Sequence, residues 1–257
     1  MIAGIAGYLS GNSAIISDTY NTGDIVCTRT SGNYIGGIIG YNYRVAGIIV
    51  NCYNTGNIIA NKNDYVGGIS GLGAPTIMNC YNTGTIVSSG EKIGGIAGES
   101  SADIVKSYNE GNVSVSNCQY GYVGGIAGSR RSGSIVDCYN KGNITATGLY
   151  GMSYVAGIAG RGGSGPCNNC LNYGTIYVTS TDDIYVGGIS YEGPAVYCSN
   201  CGDIYVQTSK GCYVGGIFSN DSTANNCYNS GNIKVQVTSP SSSNNYVGGI
   251  VGSYRKL

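Results

Sequence analysis

The fold class this sequence predicts is all-β: a parallel β-helix, or β-solenoid, with one coil per repeat. Three observations predict it. Two glycine-centred signals alternate along the whole chain, and the first recurs every 27 to 33 residues. The chain has 45 glycines in 257 residues. They sit inside the apolar runs, where each would cost a helix about 1 kcal/mol relative to alanine. The apolar residues are mainly Ile and Val, which suit strands, and Gly, Asn, Asp and Ser punctuate them.

The first signal reads VGGIAG at Val123–Gly128. Its central glycine recurs at Gly4, Gly37, Gly68, Gly95, Gly125, Gly157, Gly188, Gly216 and Gly249. Isoleucine always follows: Ile5, Ile38, Ile69, Ile96, Ile126, Ile158, Ile189, Ile217 and Ile250. The second signal, CYNKGNI at Cys138–Ile144, places asparagine at Asn21, Asn54, Asn82, Asn109, Asn140, Asn172, Asn200 and Asn229. Glycine stands two residues after each asparagine, and Ile or Val two residues after that glycine. Residues 1–257 thus read as a single domain of eight full modules and the opening of a ninth.

Within module five, strands are expected near Tyr122–Ala127, Ser134–Asn140 and Asn143–Thr147. Such a unit cannot bury its apolar side alone and must stack on its neighbours. Three short strands per coil, right-handed winding and a spacing of about 4.8 Å give a rod roughly 40 Å long. Repeat columns then become ladders. The Ile38, Ile69, Ile96, Ile126, Ile158 and Ile189 ladder is expected to fill the core, at about 1.5–3 kcal/mol per buried side chain. The asparagine ladder is expected at a corner, bonding coil to coil in a left-handed turn, with the next glycine supplying φ > 0.

Six of the 11 cysteines share one column: Cys52, Cys80, Cys138, Cys170, Cys198 and Cys227. Thr19 and Ser107 complete it. Alternation of cysteine with threonine and serine reads as a small buried side chain. Free thiols are the primary reading and cross-coil disulfides the alternative. Cys167-Asn-Asn-Cys170 and Cys198-Ser-Asn-Cys201 resemble a zinc pattern, but Cys167 and Cys201 fall on opposite sides of the shared column. No metal and no cofactor are expected.

The charge balance excludes several classes. There are 13 cationic and 13 anionic residues, 10% charged overall. Nucleic-acid binders carry a basic stripe, and the pairs Arg130–Arg131 and Arg255–Lys256 are too small to make one. No apolar run is long enough for a membrane-spanning helix. The opening Met1–Gly7 has no basic leader and is already repeat, so no signal peptide is read there. The chain lacks histidine, which removes Ser-His-Asp and Cys-His mechanisms. Glu99 and Glu192 share a column but lie three coils apart, about 14 Å, too far for a glycosidase pair. Arg130-Arg131-Ser132-Gly133 reads as a surface loop. Gly160-Arg161-Gly162-Gly163-Ser164-Gly165 matches GxGxxG, but Pro166 follows where a dinucleotide site needs a helix, so it too reads as a loop.

Tyrosine is the most suggestive surface residue. One column runs Tyr34, Tyr65, Tyr122, Tyr154, Tyr185, Tyr213, Tyr246, with Lys92 as its exception. A second includes Tyr53, Tyr81, Tyr108 and Tyr139. Tyr177 and Tyr205 are expected to stack on an outer face and are the candidate ligand contacts. Ladder stacking that covers the coils is the plainer reading of these columns.

Gly95-Ile96-Ala97-Gly98, Gly125-Ile126-Ala127-Gly128 and Gly249-Ile250-Val251-Gly252, with Cys52–Gly56 and Cys80–Gly84 between such signals, resemble the GLUG-motif repeat family of bacterial surface proteins. Isoleucine replaces the family's leucine throughout. The resemblance implies an exported, surface-associated stalk or adhesive module, as in adhesin-like proteins and the non-catalytic regions of immunoglobulin A peptidases. It supplies no catalytic residues. The expected partner is a host or neighbouring-cell surface protein or glycan, without nucleic acid or membrane insertion. The alternatives are a carbohydrate-binding or carbohydrate-cleaving β-helix and a rod that self-associates end to end through uncapped coils.

Overall fold

The computed structural model describes residues 1–10, 14–28, 32, 34–42, 47–62, 65–73, 75–220, 222–239 and 244–253. The Arg255–Lys256 pair lies outside them. Every strand pairing among the described residues is parallel and joins one coil to the next. The chain is a β-solenoid of about eight coils, as the periodicity predicts.

The coil itself has five short strands where three are expected. In module five they are Tyr122–Gly124, Ala127–Arg130, Ile135–Val136, Tyr139–Asn140 and Ile144–Leu149. Two of the three expected strands are each divided by a bend. One bend falls at the glycine pair. The other falls at Asp137, whose φ is 54°. Repetition of these strands builds five sheets, called first to fifth in chain order within a coil. The first has nine strands, while the third, fourth and fifth have eight each. The second has six strands plus a separate pair, linked by the bridges Ala159–Ser190 and Ser190–Phe218.

The isoleucine ladder is buried as expected. Ile38, Ile69, Ile96, Ile126, Ile158 and Ile189 are fully inaccessible. Ile96 N–H donates to Ile126 O at 2.9 Å, so the two are vertical neighbours. The interior nevertheless holds two apolar clusters. One joins Ile35, Val66, Ile93 and Val123 of the first sheet to Ile58, Ile86, Val113 and Ile144 of the fifth. The other joins the isoleucine ladder to Ile49, Ile77 and Ile104 of the third sheet and to the cysteine column.

The asparagine ladder lies between them: each asparagine ends a fourth-sheet strand at the corner before the fifth sheet, with its side chain turned inward. Asn54, Asn82, Asn109, Asn140, Asn172 and Asn200 are fully buried. Each Nδ2 donates to the Oδ1 of the next coil, as from Asn109 to Asn140 at 2.9 Å and from Asn172 to Asn200 at 2.7 Å. The same Nδ2 donates to the carbonyl two residues on, as from Asn140 to Gly142 O at 2.8 Å. The side chain reaches across to the opposite wall: a Cβ on Gly95, Gly125 or Gly157 would overlap Asn109, Asn140 or Asn172. The second glycine of these pairs is required both by the carbonyl of the next coil's glycine and by the asparagine facing it.

The corner glycines are also explained differently from the sequence expectation. They do not have positive φ. A Cβ on Gly84, Gly111 or Gly142 would collide with the carbonyl oxygen of the corresponding glycine one coil earlier. The left-handed residue is the one before the cysteine column: Asp18, Asn51, Asn79, Lys106, Asp137, Asn169, Tyr197 and Asn226.

The column cysteines are free, and all are buried but Cys227, which is half-buried. Each thiol donates to the carbonyl two residues before it, as from Cys138 to Val136 O at 3.2 Å. Ser107 does the same to Val105 O at 2.9 Å. The side chain also accepts from the coil before: Cys52 N–H donates to Cys80 Sγ at 3.4 Å, and Cys80 N–H to Ser107 Oγ at 3.1 Å. A small donor–acceptor is what the position needs, which is why serine substitutes for cysteine.

Candidate functional site

Outside the coil, the bend at the glycine pair turns the outer faces of the first and second sheets toward each other. Residues seven apart meet across the resulting groove. Tyr34 and Tyr41 stack with ring centroids 4.5 Å apart. Lys92 Nζ reaches Glu99 Oε2 at 2.7 Å. Along the first sheet the tyrosine column continues, Tyr154–Tyr185 at 5.2 Å and Tyr185–Tyr213 at 4.4 Å. Tyr191 enters from the facing side, edge-on to Tyr154 at 4.4 Å.

The groove is aromatic toward both ends and charged in the middle. There a cavity of about 370 Å³ is lined by Lys92, Glu99, Ser129, Arg130, Arg131, Arg161, Gly162, Gly163 and Glu192. Glu99, Ser129 and Arg161 occupy one register column on three successive coils. Glu99 is 1% exposed and forms ion pairs with Lys92 and with Arg131 Nε. Burial works to lower the Lys92 ammonium pKa, but its hydrogen bonds to Glu99 and Tyr65 outweigh burial and hold it above the ordinary value. Arg161 Nη1 donates to Tyr122 Oη at 3.3 Å, and its guanidinium lies 5.2 Å from the Tyr122 ring centre. Burial pushes the Glu192 carboxyl up, against the opposing pull of Arg161 and Arg130. Burial likewise pushes the Tyr154 phenol up to about 12.

Arg130 departs most from the sequence reading. Expected on a surface loop, it ends the strand Ala127–Arg130 and is 2% exposed. Its Nη1 donates to Cys167 Sγ at 3.4 Å and its Nη2 to Gly163 O at 3.5 Å, both at the long limit of a hydrogen bond. Its Nε has no partner. Gly162 and Gly163, from the GxGxxG stretch, form part of the cavity wall, and the strand Cys167–Asn168 follows the stretch in place of a helix. A Cβ on Gly163 would strike the carbonyls of Arg130 and Arg131. The glycines let this loop close over the preceding coil.

The two other sequence-predicted sites are also placed. Tyr177 and Tyr205 are register partners on the outer face of the fifth sheet. With Lys234 and Gln236 they border a shallow hollow of about 150 Å³. Tyr205 Oη donates to Asp203 Oδ2 at 3.0 Å. The paired CxxC residues do not converge: Cys167, Cys170 and Cys198 are buried and Cys201 is exposed. Among the described residues no cluster of three or more Cys, Asp or Glu side chains could hold a metal ion.

On the fourth sheet the tyrosine column forms a flat stack. Tyr53–Tyr81, Tyr81–Tyr108 and Tyr108–Tyr139 lie 4.8, 5.0 and 4.7 Å apart with planes within 5°. An ion pair between coils, Lys141 Nζ to Glu110 Oε1, lies beside it at 2.8 Å.

Residues 31–59, spanning Gly36–Gly40 and Cys52–Gly56, match the family model described as the GLUG motif. That stretch carries the GLUG motif. No curated protein and no solved structure matches it. The neighbouring repeat pairs with the matched one in register, Ile35 with Val66 and Asn54 with Asn82. The match therefore marks the structural unit from which the remaining coils are built. The charged cleft lies where the repeats depart from their own columns: lysine replaces tyrosine at Lys92, and the facing column runs Tyr41, Leu72, Glu99, Ser129, Arg161.

Proposed function

We propose that this GLUG-motif chain is a non-catalytic stalk and adhesive module of a bacterial cell-surface or secreted protein. The observation that carries the reading is the unbroken asparagine ladder from Asn21 to Asn229. One hydrogen-bonded amide per coil, sealed between two apolar clusters, favours a stiff rod over a chain of independently moving units. Adhesion is supported by the tyrosine-lined walls. These include the Tyr177–Tyr205 face, which offers aromatic area to a surface protein or glycan at low conformational cost.

Immunolabelling of the source cells tests the location. Antibodies against the rod should label intact cells as strongly as permeabilised ones. Labelling that requires permeabilisation would overturn the surface reading.

A further inference from the structure

We propose that the charged cleft between the first and second sheets binds a carboxylated sugar residue. Arg130, Arg131 and Arg161 would grip its carboxylate, and Ser129 and Glu192 would meet its hydroxyls. The assignment deepens the adhesive reading above by naming a ligand class, and rests on that reading only for its biological setting.

The charge count sets the sign of the ligand. Four cationic side chains, Lys92, Arg130, Arg131 and Arg161, line the cavity against two carboxylates, Glu99 and Glu192. Glu99 is already taken by Lys92 and Arg131. Glu192 sits in surroundings that disfavour its charge. Lys92 and Arg131 share the single charge of Glu99, so positive charge is left on that pair as well as on Arg161 and Arg130.

Arg130 supplies the second, independent observation. A guanidinium carries five donors in a rigid fork matched to planar anions. This one is 2% exposed, has no carboxylate hydrogen-bonded to it, spends two donors on a thiol and a carbonyl at 3.4 and 3.5 Å, and leaves Nε unsatisfied. A buried cation so poorly paired is costly unless something else satisfies it. An anion in the adjoining cavity would do so.

Shape and neighbours narrow the anion to a carboxylated sugar. A cavity of about 370 Å³ exceeds what a bare inorganic anion fills and falls at the lower end of small-ligand sites. The two resident carboxylates oppose a dianion more than a monoanion, which favours carboxylate over phosphate. Ser129 and Glu192, on the same lining, offer hydrogen-bonding groups to sugar hydroxyls.

Calorimetric titration of the whole chain tests the assignment, with glucuronate and N-acetylneuraminate as probes and glucose and inorganic phosphate as comparisons. Both acidic sugars should bind, and more tightly than either comparison. Arg161→Gln and Arg131→Gln, both at solvent-exposed side chains, should each weaken binding about tenfold or more with circular dichroism unchanged. Arg130→Met, which removes the buried fork, should abolish it. Equal binding of phosphate, no binding of either acid, or acid binding untouched by Arg161→Gln would each overturn the proposal. Surface labelling without sugar binding would sink the ligand and leave the stalk. Sugar binding without surface labelling would do the reverse.

Discussion

Asn140 is the side chain on which the interior of the coil depends most directly. It accepts from Asn109, donates to Asn172 and to Gly142 O, and presses on Gly125. Replacement by alanine would strand a donor on Asn109 and acceptors on Asn172 and Gly142 in a site closed to water. Each stranded group costs about 1–3 kcal/mol, so Asn140→Ala should destabilise the protein by about 3 kcal/mol or more in urea titration. A loss below about 1 kcal/mol would mean the ladder is incidental. The presence and hydrogen-bonding of this ladder were legible from eight asparagines in phase. Its burial against the opposite wall was not. A corner asparagine turned inward and one turned outward leave the same sequence pattern. The facing glycine that distinguishes them lies about 15 residues away in the chain. The left-handed residue was legible in principle: six of the eight positions before the cysteine column are Asn or Asp, the residues that best tolerate that conformation.

At the scale of the strand and its column, the signal lies in which substitutions the repeat accepts. Cys138 stands where Ser107 stands one coil earlier, and both donate to the carbonyl two residues back. Cys138→Ser should therefore cost no more than about 1 kcal/mol at pH 7. The same variant tests the alkaline behaviour. Burial pushes the Cys138 and Cys118 thiols from 9.0 up to about 12. The folded state then holds these protons after the unfolded chain has released them. Stability should be unaffected below about pH 9 and fall from there toward pH 12, by about 2 kcal/mol per thiol at pH 10.5. Urea midpoints at pH 8 and pH 10.5 should show this loss, and Cys138→Ser, which cannot titrate there, should reduce it. An equal loss in the variant would assign the alkaline transition elsewhere. The count of five strands against the expected three has a related origin. The bends at Gly124–Gly125 and Asp137 interrupt backbone direction without interrupting the apolar pattern, and alternation alone cannot reveal a bend. The charged cleft was legible only as departures from the columns. Lys92 among tyrosines and the Glu99–Glu192 pair were visible, yet nothing in the sequence showed that Arg130 turns inward or that the glycine-rich loop closes over it.

For the molecule as a whole, the ladders make each coil interchangeable with its neighbour in backbone but not in side-chain chemistry. Asn109 bonds to Asn140 and Asn140 to Asn172 with nearly the same geometry. Removal of residues 126–157 would bring Gly125 into the place of Gly157 and Asn109 opposite Asn172, restoring every column with one coil fewer. In a solenoid whose stability is close to a sum of coil and interface contributions, the shortened chain should fold cooperatively. Small-angle scattering should report a rod shorter by about 4.8 Å. The deletion takes out Arg130 and Arg131 while sparing Lys92, Glu99, Arg161 and Glu192. Sugar binding should therefore vanish from a protein whose rod geometry is intact. A deletion of residues 38–68, which removes one coil from the tyrosine-lined stretch, should shorten the rod equally and keep the binding. If either shortened chain fails to fold, the coils are not equivalent units and the ladder account of the stack is wrong. If both fold and both bind, the arginines of module five are not the site.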